Sequence, residues 1–577
     1  MKAIKDIHVN KYWFSIILFG VLLLSFIFSY LIHFKKNESQ RYDLMTFCES
    51  VPTPLFSVPE GIYDQPFNLE IKAPEGYDIF YTTDGSTPTV RSNRYKKSIT
   101  VNPRKNLNRK ILTISTSLRW RAPYGRQNHC VVFRARCFRE GTGYGNVENV
   151  IYSTPNIQQH QGFQIIHILI DADNLFSQER GIYVMGQKYY SKKALVTHQQ
   201  TFGTGIDRNH HPANYNQAGK RWTRPAAFIL MDLSGKSLFE QNIILKVRGK
   251  VSRVFPQKSF RIMPDDQNDT TLIYSFFDEL PYSSYKRLIL RNSGTDNRYT
   301  MFRDALIQQL VNGTRVDLQA YTPSVVYING NYWGIHNIRE NQDEHYLAAK
   351  YGSSLQDISI LFKIDRVPLA LRYGLESSLR SFEQLVNFIN KNSLADNDTY
   401  LAVCEQIDVD NFMDYVILHT FFANWDWPNN NIKLYRLDRQ TELMKQQGID
   451  AGKWRWFFFD LDGGMEELPP STNMYERLRN EYDQQIVTQI FESLMENQDF
   501  KDKFITRYEY LVKNQFTSEK LLEQINLFEI RYRPEIERQI SRWRFIKDVQ
   551  FWQQEIEVMK NFAKERPEIV LKQLETL

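Results

Sequence analysis

The run Trp454-Arg455-Trp456-Phe457-Phe458-Phe459, followed by Asp460-Leu461-Asp462-Gly463-Gly464, constrains this chain more than any other stretch. Six residues that are almost wholly apolar and aromatic ask for a buried strand, and the end of that strand must deliver Asp460 and Asp462 into a cleft. Gly463 and Gly464 then allow a sharp turn. Upstream, Asn424-Trp425-Asp426-Trp427-Pro428-Asn429-Asn430-Asn431 puts an Asp and an Asn five residues apart on one tight loop. Two carboxylate stretches and an amide are the hard oxygen donors that magnesium prefers when it holds a polyphosphate. Surface turns are the competing reading, because Asn-rich and Asp-Gly stretches make turns. Asp-x-Asp-Gly is also a fragment of a calcium loop, but the rest of that pattern, closing on Glu, is absent.

The spacing is similar to that by which protein kinases set a catalytic carboxylate and two metal ligands. Further blocks accompany it. Leu245-Lys246-Val247-Arg248-Gly249-Lys250-Val251-Ser252-Arg253 with Pro256-Gln257-Lys258-Ser259-Phe260-Arg261-Ile262 resembles the "RG-x-x-SR … KS-[FY]" signature of the spore-coat CotH kinase family. Leu288-Ile289-Leu290-Arg291-Asn292-Ser293-Gly294, Phe302-Arg303-Asp304-Ala305 and Tyr327-Ile328-Asn329-Gly330-Asn331-Tyr332-Trp333-Gly334-Ile335 follow in the family's order, the last running into Arg339-Glu340. The Asp426 and Asp460 blocks close the series, so the resemblance covers roughly residues 160 to 570.

This resemblance implies an α+β fold with a two-lobed, protein-kinase-like catalytic domain. It also implies transfer of the ATP γ-phosphate to Ser or Thr hydroxyls of protein substrates, with ATP and Mg2+ or Mn2+ as cofactors. Carried over by position, Asp426 is the carboxylate that orients the acceptor hydroxyl, Asn431 a metal ligand and Asp460 the main magnesium ligand, with Asp462 a second candidate. Phosphoryl transfer asks a protein mainly for positioning and charge neutralisation, so so small a set is chemically sufficient. Arg248, Ser252, Arg253 and Lys258 would form the opposite wall, where a strand, a short loop and a returning strand fold over the triphosphate. An ordinary solvated basic hairpin is the alternative there. Glu340 is a further nucleotide-side candidate, indistinguishable in sequence from a surface Glu paired with Arg339. Gly-x-x-x-x-Gly-Lys-Ser/Thr, His-Arg-Asp and Asp-Phe-Gly are all missing, so neither a P-loop enzyme nor an ordinary protein kinase is supported.

Tyr12 to Phe34 contains no Asp, Glu, Lys or Arg and is rich in Ile, Leu and Phe, long enough to cross about 30 Å of bilayer core as a helix. Lys2, Lys5 and Lys11 before it, against Lys35 and Lys36 after it, favour the N-terminus inside and the body outside. The sequence therefore predicts a cytoplasmic tail over 1–11, a transmembrane signal anchor over 12–34 and a linker over 35–51. A cleaved signal peptide is the alternative, but its small-x-small site is not evident. The expected localisation is a single-pass membrane protein with an extracytoplasmic body, where Asn-x-Ser/Thr sequons at Asn37, Asn268, Asn312 and Asn397 would matter in a glycosylating host.

Residues 52–155 read as short strands and turns. Phe67-Asn68-Leu69-Glu70-Ile71 alternates, and Asp84-Gly85 signals a hairpin, so an immunoglobulin-like β-sandwich is expected before the 160–570 catalytic domain. "YTTDGSTPT" (81–89) resembles the chitobiase/β-hexosaminidase C-terminal-type module, for which we expect no chemistry. It carries a second functional reading, an inactive surface scaffold that contacts glycans or cell-wall material. At 577 residues and 42% hydrophobic, the chain can bury two substantial cores. Its net charge of +6, taken as mixed along the chain, gives no reason to expect nucleic acid. Cys130 and Cys137 lie an odd number of residues apart in a strand-like run, on opposite faces, and read as buried free thiols. From about Glu481 onward apolar residues recur at helical spacing through Ile486, Ile490, Leu494, Phe551 and Trp552, predicting a helical C-terminal part.

Overall fold

The computed structural model describes residues 51–105, 108–140, 143–190, 211–265, 270–363 and 368–577. Short strands between Leu55 and Ser153 build the N-terminal sandwich, with Val131–Arg139 as its spine between Asp78–Thr82 and Glu148–Ser153. Strand alternation decides its packing. Val131, Phe133, Ala135 and Cys137 face the module's own interior with Leu69, Ile71 and Val101. Cys130, Val132 and Ile151 turn the other way, into the core of the body that follows. Both cysteines are buried free thiols, as their spacing predicts. Asp84-Gly85 does not make a tight hairpin: Asp78–Thr82 meets its partner Asn93–Arg94 only after the loop 83–92.

Two sheets dominate the body over the described residues, beside a small pair of Leu272–Ile273 with Ser284–Tyr285. The larger runs, in spatial order, Tyr321–Thr322, Asn337–Glu340, Leu288–Arg291, Ser259–Pro264, Ser237–Arg248, Arg224–Met231, Gln164–Leu169, Ser324–Ile328 and Asn331–Ile335. The smaller runs Ala370–Tyr373, Ile358–Lys363, Ile432–Leu437 and Trp454–Trp456. Long helices cover them, ending in Ser518–Trp543 and Val549–Leu574. Trp552, Ile556, Met559, Phe562 and Ala563 bury one face of the last helix, each large side chain contributing about 1.5–3 kcal/mol of apolar burial. The preceding helix grips the larger sheet through polar contacts: Tyr532 donates to Asn337 Oδ1 at 2.8 Å and Trp543 Nε1 to the Trp333 carbonyl at 2.8 Å.

The sandwich is welded to this body. Cys130 N donates to the Gly330 carbonyl at 2.7 Å, and Tyr332 N to the Asn128 carbonyl at 3.1 Å. Glu60 accepts from Ser237 N at 2.7 Å and from its hydroxyl at 2.6 Å.

The expected transmembrane helix is a correction. Among the described residues no helix is long and apolar enough to cross a membrane, and Tyr12 to Phe34, on which that expectation rested, lies outside the described residues. Over the described residues the fold class is a mixed α/β one, and the transmembrane helix, the single-pass membrane localisation and the membrane contact are withdrawn.

Candidate active site

Helix Val409–Phe421 ends where Ala423 takes a left-handed φ of 48°, and the loop to Ile432 begins. Trp427 anchors this loop: it is fully buried, stacks on His419 with centroids 4.7 Å apart, and donates from Nε1 to the Tyr415 hydroxyl at 2.9 Å. Asp426, half-buried beside that anchor, accepts from Asn430 Nδ2 at 3.1 Å and Asn431 Nδ2 at 2.9 Å. Burial, reinforced by the negative charge of Asp460, pushes its carboxyl up to about 6, against the pull of the two amides and Lys250. Asp426 and Asp460 are therefore within electrostatic reach of one another.

Asp460 leaves the buried Trp454–Phe458 run with a left-handed φ of 59°. Asn431 has the same φ of 59°. Such backbone is uncommon for non-glycine residues and concentrates at functional sites. Arg291 Nη2 lies between the two acids, 2.7 Å from Asp460 Oδ1 and 2.8 Å from Asp462 Oδ2. Asp462 Oδ2 also accepts from Thr295 N at 3.0 Å. Gly294 makes that approach possible, because a Cβ there would lie 1.9 Å from the same oxygen. Asp304 backs the arrangement, accepting from Leu461 N at 2.9 Å and facing Arg339 at 2.9 Å. Burial would raise the Asp304 carboxyl, but Arg339 and Arg291 hold it below the ordinary value. At Asp462 burial wins over Arg291 and the carboxyl is held well above the usual range.

Across the cleft stand cations. Arg248, at the end of Ser237–Arg248, donates to Asn341 Oδ1. Burial, followed by the positive charges of Arg261 and Arg291, pushes it down to about 9. Lys433, from the smaller sheet, donates to the Gln342 carbonyl at 3.0 Å and sits 4.3 Å from the Phe459 ring centroid. Burial and the charge of Arg248 bring it to about 7. Lys246 is lowered by burial and then by Arg261, Arg253 and Arg372. Arg261 Nε is buried without a hydrogen-bond partner. These like charges and an orphaned donor are what an anionic ligand would relieve.

The CotH kinase protein family model matches residues 245–570, more than half of the chain, and the chitobiase/beta-hexosaminidase C-terminal domain model matches residues 58–117. The chain belongs to the CotH kinase protein family. No curated protein matches it. In this CotH chain the first family match contains every carboxylate and cation described above.

The CotH cleft does not collect every residue singled out in the sequence. Lys258 is buried, with its ammonium donating to the Thr116 carbonyl at 2.9 Å and the Phe255 carbonyl at 2.6 Å, 4.1 Å from the Tyr215 centroid. It is a staple between segments rather than a phosphate donor. Arg253 is close enough to depress Lys246, yet it donates to the Asn216 and Gln217 carbonyls at 3.4 and 3.5 Å. The Ser252 hydroxyl lies under Gly249, where a Cβ would meet it at 2.2 Å, so this pair shapes the turn after Arg248. Glu340 is buried, accepting from the Tyr282 hydroxyl and from Ala320 N at 3.1 Å. Arg291, Lys433, Arg261 and Asp304 were not singled out. Arg291, Arg261 and Asp304 stand inside the family-like blocks quoted above, and Lys433 follows Asn431 by two residues, which is the only signal the sequence offered.

The donor set suits a divalent cation of magnesium type. Among the described residues no group of three or more His, Cys, Asp or Glu side chains forms a ready-made metal cage. Magnesium uses one or two carboxylates and completes its shell with water and phosphate oxygens. Asp460 and Asp462 supply two such groups, and Asp462 Oδ1 is buried without a hydrogen-bond partner.

Proposed function

We propose that this chain transfers the γ-phosphate of ATP to Ser or Thr hydroxyls of protein substrates. The observation that carries the proposal is the convergence of Asp426 and Asp460, each within reach of the other's charge, on a cationic group in which Arg248 and Arg261 share Asn341 Oδ1 and Lys433 stands close by. Asp426, held half-buried by Trp427 and two Asn amides, takes the proton of the acceptor hydroxyl. The acceptor oxygen bonds to the γ-phosphorus, the bond from that phosphorus to the bridging β-γ oxygen breaks, and ADP leaves. Asp460, Asp462 and Asn431 would hold a divalent cation, which when bound neutralises phosphate charge. Arg248 and Lys433 bind and orient the polyphosphate.

A scaffold without transfer activity is the second reading. It is favoured by Arg291, whose guanidinium already satisfies both Asp460 and Asp462. The deciding experiment is transfer of labelled γ-phosphate from Mg-ATP by the described body, with Asp426→Ala and Asp460→Ala beside it. Label that disappears in both folded variants supports the transferase. Nucleotide that neither binds nor transfers, across a range of metals and acceptors, supports the scaffold.

A further inference from the structure

Residues 85–139 contain fourteen Lys and Arg and no Asp or Glu. The whole-chain charge of +6 hides this run, because the remainder is net acidic. The expectation of evenly mixed charge is thus corrected, and the structure places part of the excess at the seam between sandwich and body. One cavity there, of about 990 Å³, is lined by Arg121, Arg544 and Lys547 together with Trp120, Tyr124 and Phe545. A second, of about 510 Å³, takes Arg104, Arg109 and Arg126. The turn at Pro123 and Tyr124 separates them. Every charged residue lining either cavity is basic.

The walls are fixed. Tyr124 N donates to the Ser541 carbonyl at 3.1 Å, and Gln127 Nε2 to the Ser541 hydroxyl at 2.9 Å. At the other end of the segment Thr116 is held on both sides, by the Lys258 ammonium and through its own hydroxyl to the Pro256 carbonyl at 2.8 Å. Within this frame Trp120 Nε1 is buried with no hydrogen-bond partner.

We propose that these two cavities form a docking site for an acidic polypeptide segment that carries apolar or aromatic side chains among its carboxylates. Trp, Tyr and Arg are the residues that dominate protein–protein hot spots, and guanidinium forks match carboxylates in pairs. A half-exposed Leu118 in the larger cavity adds an aliphatic contact. Two basic cavities on either side of one turn suit an extended chain rather than a single small anion. Reading that segment as part of a phosphoacceptor protein rests on the transfer activity proposed above; the binding does not.

The test is fluorescence anisotropy of a labelled random Glu/Tyr copolymer with the protein in 0.15 M NaCl. Polygalacturonate and oligo(dT) of matched charge serve as competitors. The expected result is saturable binding that the copolymer wins, a loss of at least tenfold in the Arg121→Glu, Lys547→Glu double variant, and less than twofold change in Arg91→Glu, which alters the same basic run outside both cavities. No binding, equal loss in the two variants, or better competition by polygalacturonate or oligo(dT) would overturn it. Failure of γ-phosphate transfer with copolymer binding intact would sink the transferase reading and leave this one standing.

Discussion

The two sides of the cleft are built on opposite electrostatic plans. On the acidic side Arg291 compensates Asp460 and Asp462, and Arg339 compensates Asp304. On the basic side Lys246, Arg248 and Lys433 are depressed by burial and by neighbouring cations, Arg261 among them, and Asp343, Glu344 and Asp460 offset part of the charge in this group. The difference teaches that the basic wall is the one left in want of a partner, so it is the side that should meet an anionic ligand first. On the transferase reading Arg291 would have to release Asp460 and Asp462 for a metal to enter, and an arriving phosphate would compete for that guanidinium.

This division can be broken by separating chemistry from binding. Asp426→Asn should lower kcat by about 10²–10⁴, the range for losing a positioned general base, while KM for ATP stays within threefold. A rise in KM with kcat preserved would move Asp426 from chemistry to binding. Next in size is Arg291→Met, which leaves Asp460 and Asp462 uncompensated. Breaking a buried ion pair from one side costs about 3–5 kcal/mol, read as a lower midpoint in denaturant. Mn2+ should restore more stability to the variant than to the parent; equal response in both would mean that Arg291 and the cation do not share the site. Lys433→Met should weaken nucleotide binding about 10- to 100-fold, from the 1.5–3 kcal/mol of a charge-assisted hydrogen bond, with kcat at saturating ATP little changed.

Glu340 sharpens the comparison from outside it, as a buried acid held by a hydroxyl and an amide rather than by a guanidinium. Burial pushes it up to about 7, against the pull of Tyr282 and Ala320 N. A raised carboxyl keeps its proton longer folded than unfolded, so its contribution is full below the ordinary Glu value and is lost as pH rises towards 7. Glu340→Gln should flatten the fall in stability between pH 4.5 and 7, by about 3 kcal/mol. An unchanged pH profile of unfolding would count against the shift.

Much of this was legible in the chain because the information was local. The aromatic run into Asp460 reads as buried and is buried, and Asp426 and Asn431 meet because five residues of one loop separate them. The C-terminal helices follow from spacing alone, with Ile490 and Leu494 buried as expected. Arg291 was opaque because its partners lie more than 160 residues away. Lys258 shows the reverse failure. It stands in the same family-like block as Arg248 and Arg261, but one step along the chain turns a side chain to the other face, so its neighbour Ser259 pairs across to Arg248 while its own ammonium meets Thr116. The basic run escaped notice because a count over the whole chain averages it with a net-acidic remainder.

That same ammonium has a mechanical meaning. Because a segment of the sandwich is clamped by Lys258, by the Ser541 contacts and by the strand continuation at Gly330, the seam resembles a riveted joint more than a tether. Pulling on the sandwich would load the nine-stranded sheet in shear before any spacer could stretch, so the two parts should yield together, in one rupture, rather than one after the other.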